Sequence, residues 1–362
     1  MTIVKSTDIT PRYRYTPGQL MEFSNQVLAK LKVPLNDAVK VSQCLVEANL
    51  KGFDSHGIVR LPVYARRLAA GVVNAQPKLE VLSTSGPLIA IDGDNGLGPV
   101  IGVFAMEQTI AAAREWGIGL ATVKRSNHFG AAGYYVEQAA ARQCIGFVTS
   151  NAPPGMVPWG GRERFLGTNP FAIGIPIKGA EPLVIDMASS VVARGRIVLA
   201  AQQGERIPDH WAIDPRGLPT TDPKEALLGG LMPFGGPKGA AISLVIDILS
   251  GVLSGAAYGR YLTQLEDLSD EQDLGHCFMA LEVKRLMDFD AFSQRITDLI
   301  QQLKSIPLAP GFAEILAPGE LEQRRSKERE AGGIVITQDV LHDLEVLGES
   351  IGVRLPPGRP VG

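Results

Sequence analysis

The sequence is poor in cysteine. Cys44, Cys144 and Cys277 are far apart and odd in number. That excludes a disulfide framework and a paired-cysteine metal site, and it fits a reducing, cytoplasmic setting. A basic excess is also missing. Thirty-five Lys and Arg stand against 38 Asp and Glu, a net charge of −3, so nothing points to nucleic acid. Met1 to Pro17 lacks the apolar core of a secretory signal and reads as an arm. The single long uncharged stretch, Gly239 to Gly259, carries Asp247. An aspartate at the centre of a membrane helix costs ~2.5–3.5 kcal/mol, and no basic flank sets an orientation. The stretch reads as a buried helix, and no membrane is expected. Its Gly251 and Gly255 suit close packing, including packing across a subunit interface.

What the sequence has in excess is glycine: 40 in 362 residues, against an average of about 7 per cent. The glycines punctuate apolar runs, as they do where backbone turns sharply or approaches a ligand. The length fits two or three domains. The first 80 residues read as helices, the first capped by Thr16-Pro17. From Gln76 short apolar runs alternate with helical stretches. Strands are expected at 79–82, 88–91, 119–123, 145–149, 171–175 and 183–185, and helices at 100–116 and 131–142. From Gly239 to about Leu303 the chain reads as mostly helical again. The expected fold is therefore α/β (α+β): a central mixed-sheet domain, 85–236, wrapped by a discontinuous helical domain, 1–84 and 237–345, built from both chain ends. Residues 346–362 read as a C-terminal tail whose Pro/Gly-rich end, from Pro356, is mobile.

The run Gly96-Leu97-Gly98-Pro99-Val100-Ile101-Gly102 resembles a dinucleotide fingerprint but departs from it. The third glycine is one residue late, Pro99 removes an N–H, and no acidic residue ends a second strand. It reads as a tight strand-to-helix turn. Gly235 to Gly239 is not a phosphate loop of the Walker type, although Lys238 precedes a helix there. Of five histidines, His210 and His342 read as solvated and His276 as packed. His56 and Arg60 are four residues apart, with Asp54 and Ser55 placed to cap the helix that would carry them. A histidine moves protons near neutral pH, and an arginine grips a carboxylate with two parallel hydrogen bonds. His128 follows a strand end, where open α/β sheets place ligands. Thr168 and Asn169, and Asp186 to Ser189, lie at strand or turn ends, where they can bind polar ligand atoms or cap turns.

Taken in order, Asp54-Ser55-His56-Gly57 with Arg60, Asp92 to Gly98, Asn127-His128-Phe129-Gly130, Gly167-Thr168-Asn169-Pro170, Asp186-Met187-Ala188, Thr220 to Pro223, Gly236-Pro237-Lys238-Gly239 and Pro318-Gly319-Glu320 resemble the type-2 malate/L-lactate dehydrogenase family. The resemblance spans about residues 15 to 345. It implies a homodimeric NAD- or NADP-dependent oxidoreductase with a non-Rossmann cofactor site in the 85–236 domain, the helical domain on the substrate and dimer side, and active sites near the subunit interface. It implies that His56 or His128 is the proton donor and acceptor, and that Arg60, with Ser55, meets a small carboxylate substrate. It carries Thr168 and Asn169 to the nicotinamide or substrate. It carries Asp186, Met187, Ala188, Lys238, Pro318, Gly319 and Glu320 to the cofactor.

The expected reaction interconverts a malate- or lactate-like 2-hydroxy acid and its 2-oxo acid. The alternative within the family is reduction of a cyclic imino acid. A metal-dependent lyase or hydrolase using His56, His128 and Asp186 is disfavoured because no paired-histidine metal spacing is present, and no metal is expected. A binding protein on a retired enzyme scaffold is disfavoured by the survival of both histidines, Arg60 and Lys238.

Overall fold

The computed structural model describes residues 12–361. Most of the N-terminal arm, up to residue 11, and the final glycine lie outside the described residues.

The chain opens with strand β1 (Arg12–Tyr15) and three helices, α1 (Pro17–Lys30), α2 (Leu35–Leu50) and α3 (Leu61–Ala70). Thr16 starts α1 with a reciprocal cap: its hydroxyl accepts the Gln19 amide, and the Gln19 side chain accepts the Thr16 amide. The apolar faces of these helices bury Leu20, Phe23, Val41, Leu45, Leu61 and Tyr64 in one core. The far end of the chain joins that core. Strand β11 (Ile334–Thr337) pairs with β1, and α11 (Gln338–Ile351) supplies Leu341 and Leu344. Strand β12 (Arg359–Val361) pairs with the other edge of β1. The end read as mobile is therefore held in a sheet: backbone pairing with β1 outweighs its Pro/Gly-rich composition.

The middle of the chain builds a seven-stranded mixed sheet. In chain order its strands are β2 (Glu80–Ser85), β3 (Leu88–Asp92), β4 (Ile118–Ser126), β5 (Cys144–Ser150), β6 (Phe171–Ile175), β7 (Leu183–Met187) and β10 (Leu274–Glu282). In space they run β2-β3-β4-β10-β5-β6-β7. Only β3 and β4 are parallel. Helices α4 (Gly98–Trp116) and α5 (Gly133–Ala140) cover the sheet over a core that includes Ile101, Met106, Val136, Val148 and Phe278.

Strand β10 corrects the helical reading of Gly239 to Leu303. It fills the centre of the sheet, antiparallel to both β4 and β5. Its run Leu-Gly-His-Cys-Phe-Met-Ala-Leu-Glu is buried almost throughout. An apolar run covered on both faces shows no alternation, so periodicity alone does not separate it from a buried helix.

A third, smaller core gathers α6 (Arg194–Gln203), β8 (Ala212–Ile213), α7 (Pro223–Leu228) and β9 (Gly230–Leu231) around Met156, Leu166 and Ile197. Next comes α8 (Pro237–Asp247), which continues as a wide turn over Ile248–Val252. One side is buried through Gly239, Ser243, Ile246 and Asp247. Asp247 accepts hydrogen bonds from Asn151 Nδ2 (3.2 Å) and the Gly259 amide (3.1 Å). The other side carries Ile242, Leu244, Val245, Ile248, Val252 and Leu253, each more than 36% exposed. The stretch expected to be a wholly buried helix is buried on one side only. Among the described residues no helix is long and apolar enough to cross a membrane. Two further helices, α9 (Phe289–Ser305) and the charged α10 (Glu320–Gly332), complete the chain.

Candidate active site

The segment between α2 and α3 carries Asp54, Ser55, His56 and Arg60. It is two separate 3-10 turns, Asp54–His56 and Ile58–Arg60, and α3 begins only at Leu61. His56 and Arg60 are therefore not successive turns of one α-helix, and Asp54 does not cap α3. The Asp54 carboxylate instead takes both Arg329 amino groups (2.7 and 3.1 Å) and the Asn49 amide (2.7 Å). Asn49 Oδ1 accepts the Ile58 amide at 2.7 Å. A Cβ on Gly57 would lie 2.2 Å from Asn49 Oδ1, so the glycine lets this turn close over the asparagine. The two turns are tied together by Arg60, whose Nε donates to the Ser55 carbonyl at 2.7 Å.

His128 arrives from β4. The glycine-rich stretch Asp92 to Gly98 supports it instead of forming a phosphate loop. Asp94 and Asn95 take left-handed backbone conformations (φ 46° and 53°). Asn127 Nδ2 reaches Asn95 Oδ1 and the Gly96 carbonyl, both at 2.9 Å. A Cβ on Gly98 would sit 2.3 Å from the Asn127 carbonyl and 2.5 Å from that of His128. Only glycine lets the start of α4 approach the histidine loop so closely.

These supports bring His56 and His128 face to face, ring centroids 5.6 Å apart and planes 20° from parallel. His56 Nδ1 lies 3.0 Å from Ser55 Oγ. His128 Nδ1 lies 2.6 Å from the hydroxyl of buried Tyr64. That hydroxyl has a second acceptor, the His128 carbonyl, at 3.3 Å. Tyr64 can thus donate to a neutral ring, or turn its hydrogen to the carbonyl and accept from a protonated one. Tyr64 is not among the site residues expected from the sequence. Its signal was its spacing, four residues beyond Arg60. Burial first, and then the Arg60 guanidinium, push the His56 imidazole down to about 4. The same two causes, followed by His56 and His276, hold His128 well below the usual histidine range. Burial keeps Tyr64 a phenol, well above the ordinary range. Beyond its contact with Ser55, Arg60 has only the exposed Glu266 carboxylate near it, at 4.0 Å.

His276 lies behind the pair, fully buried and bound on both ring nitrogens by Ser150 and Ser126 hydroxyls. It is packed, as expected. His210 and His342 are exposed.

A cavity of about 380 Å³ lies among α2, α5, β7 and the start of α10. Phe53, three residues before His56, and Ala131, three after His128, stand in its wall. So do Asp186, Met187, Pro318 and Gly319, four of the residues expected at the cofactor. Asp186 Oδ2 accepts the Gly133 amide at 2.7 Å, and burial raises its carboxyl to about 6. No motif pointed to the charged wall residues Glu47, Lys51 and Glu137, which meet across α2 and α5.

The remaining expected residues lie apart from the cavity. Ala188 is next to Met187 but outside the wall. Lys238 is exposed at the start of α8. Glu320 binds Lys304 and caps its own turn through the Ala317 amide. Asn169 is a buried brace, accepting from the Ala152 amide and donating to the Ser243 carbonyl, both at 2.9 Å. The Thr168 carbonyl takes the Ser189 amide. Asn169 thus ties two loops together, using one of its two N–H donors and one lone pair of its oxygen. Among the described residues no three His, Cys, Asp or Glu side chains form a set able to hold a metal ion.

The malate/L-lactate dehydrogenase family profile matches residues 15–345. The chain is 37% identical over 342 residues to L-sulfolactate dehydrogenase of Methanothermobacter thermautotrophicus, covering 94% of this chain and 98% of that one. It is 35% identical to the ureidoglycolate dehydrogenase (NAD(+)) of Escherichia coli, covering 90% and 93%. The solved sulfolactate dehydrogenase from Methanocaldococcus jannaschii superposes with a TM-score of 0.90 at 37% identity, covering 94% of this chain and 98% of that one. Members of this family are oxidoreductases that use NAD or NADP. A family match over nine-tenths of its length, on the same mixed sheet, shows that this chain belongs to the malate/L-lactate dehydrogenase family.

Proposed function

We propose that the chain interconverts a small 2-hydroxy acid and its 2-oxo acid with a nicotinamide dinucleotide. The observation that carries this reading is the stacked His56–His128 pair, with Arg60 at its side and the cavity beyond. A bound nicotinamide supplies or takes the hydride. The cavity fits such a cofactor: it is within the size range of small-molecule sites, and it is walled by Asp186, Met187, Pro318 and Gly319.

Arg60 receives the substrate carboxylate on its outer nitrogens, which fixes the face of the carbonyl presented for reaction. The histidine pair handles the proton, and His128 is the better-equipped member because Tyr64 can match either charge state of its ring. In oxidation neutral His128 removes the hydroxyl proton, and in reduction protonated His128 returns it. His56, with Ser55, packs against that ring and orients the oxygen.

The test is a spectrophotometric screen of NADH and NADPH against 2-oxo acids and cyclic imines. Turnover of a 2-oxo acid supports the reading. Turnover of cyclic imines alone replaces it with imino acid reduction. Activity lost to a chelator replaces it with a metal-dependent reaction.

Tyr64→Phe removes the hydroxyl but keeps the ring. It is expected to lower kcat about tenfold, the worth of one hydrogen bond to a charged group, with KM changed far less. Steady-state kinetics at several pH values checks this. An unchanged kcat assigns Tyr64 to packing only.

The exposed apolar side of α8 and the turn after it also fits a homodimer contact, since a patch of this kind is rarely left in water. Val245→Glu with Leu253→Glu is expected to halve the mass seen by sedimentation. An unchanged mass moves the interface elsewhere. The division into an end-built helical unit and a central α/β unit belongs to the same proposal, with the active site in the cleft between them.

A further inference from the structure

We propose that the cavity takes the adenosine half of NAD in preference to that of NADP. This rests on the reading that the chain binds a nicotinamide dinucleotide.

The hydride-bearing carbon must come within about 3–3.5 Å of the reacting carbon, which is held by Arg60 and the histidines. Neither histidine lines the cavity. Its wall includes Phe53 and Ala131, each three residues from a histidine along the chain, and extends to Gly319 and Glu322. The cavity therefore suits the half of the dinucleotide remote from the hydride.

Its wall is acidic. Glu47, Glu137, Asp186 and Glu322 stand there against one ammonium, Lys51. Lys51 is already committed, to Glu47 at 3.2 Å and to Glu137. Asp186 uses Oδ2 on the Gly133 amide, and its other oxygen has no donor among the described residues. A ribose 2′-hydroxyl donates to a carboxylate, whereas a 2′-phosphate is repelled by one and needs an arginine or lysine instead. Arg162, Arg164, Arg194 and Arg196 do not line the cavity. Arg164 spends its guanidinium on the carbonyls of 227–229. Arg162, Arg194 and Arg196 are exposed. Two nearer cations stop short of it. Arg325 lies over Gly52, and Lys327 faces an adjoining open recess beside Glu181 and Glu320.

The test is a fluorescence titration of the whole chain with NADH and with NADPH, without substrate. The wild type is expected to bind NADH at least about 30-fold more tightly. Glu322→Arg, at the first turn of α10, is expected to narrow that ratio at least tenfold by strengthening NADPH. Glu330→Arg, further along the same helix and outside the cavity, is expected to leave the ratio unchanged. Equal binding, or tighter NADPH, overturns the inference. Selective loss of NADPH in Lys327→Ala or Arg325→Ala would then name the cation that holds the phosphate. A ratio unmoved by Glu322→Arg overturns it as well. Binding of neither nucleotide overturns both this inference and the reading beneath it. An NADH preference in a chain that turns over no 2-oxo acid upholds the inference and strikes only the proposed chemistry.

Discussion

His128→Asn is expected to lower turnover by ~10²–10⁴ in both directions, the usual worth of a positioned acid or base. NADH affinity, followed by fluorescence, should change little, because His128 is not in the cavity wall. Asparagine keeps a donor and an acceptor beside Tyr64, so the loop braced by Asn127 and Gln272 has reason to stay folded. What asparagine cannot do is carry the proton. His56→Asn should cost less, since its partner Ser55 is exposed and its task is to orient. The double variant should then be little worse than His128→Asn alone, as expected when residues act as a unit. If His56→Asn is the inactive variant and His128→Asn is near wild type, the two exchange roles. If both retain full turnover, acid–base catalysis by this pair is wrong.

Much of this site was legible in the sequence, and the reason is local. His56 and Arg60 are close in sequence, and so are Asp186 and Met187, so short-range spacing already places them. Glycine at 57 and 98 marked where backbone would pass close to something, although not what. In both cases it is the protein itself, Asn49 and the His128 loop. The parts that were not legible depend on contacts between distant segments. Arg329 reaches Asp54 across 275 positions. Glu47, Lys51 and Glu137 meet only because α2 packs beside α5. Tyr64 sits on an apolar helix face, where burial was the obvious reading, and burial is correct. What periodicity could not show is that its hydroxyl ends on His128. Asn169 is the converse: a polar residue in a ligand-like motif, engaged by backbone bonds. In the fold, six strands of the central sheet were placed within a few residues. Strand β10, buried on both faces, was not.

Arg60→Met should separate two functions of one guanidinium. The first is to grip the substrate. Losing a charge-assisted, two-point hold on a carboxylate costs ~2–4 kcal/mol, about 30- to 1000-fold in kcat/KM, and most of it should appear in KM. The second is electrostatic. Arg60 is the second cause, after burial, of the depressed basicity of both histidines. Oxidation needs a neutral base, so its kcat/KM falls as pH drops through the histidine's value in the free enzyme. In the wild type that acid limb should lie well below 6.5, near about 4 if His56 is the base and well below the usual histidine range if it is His128. In Arg60→Met it should move upward but stop short of 6.5, because burial remains. Reduction needs the protonated ring, so the same change should extend its activity toward higher pH. Arg60→Lys keeps the charge but not the fork. It should therefore keep the wild-type limb while losing substrate affinity. Methionine and lysine variants that share one pH profile would show that Arg60 does not set the histidines' charge. A methionine variant with the wild-type KM would show that it does not hold the carboxylate.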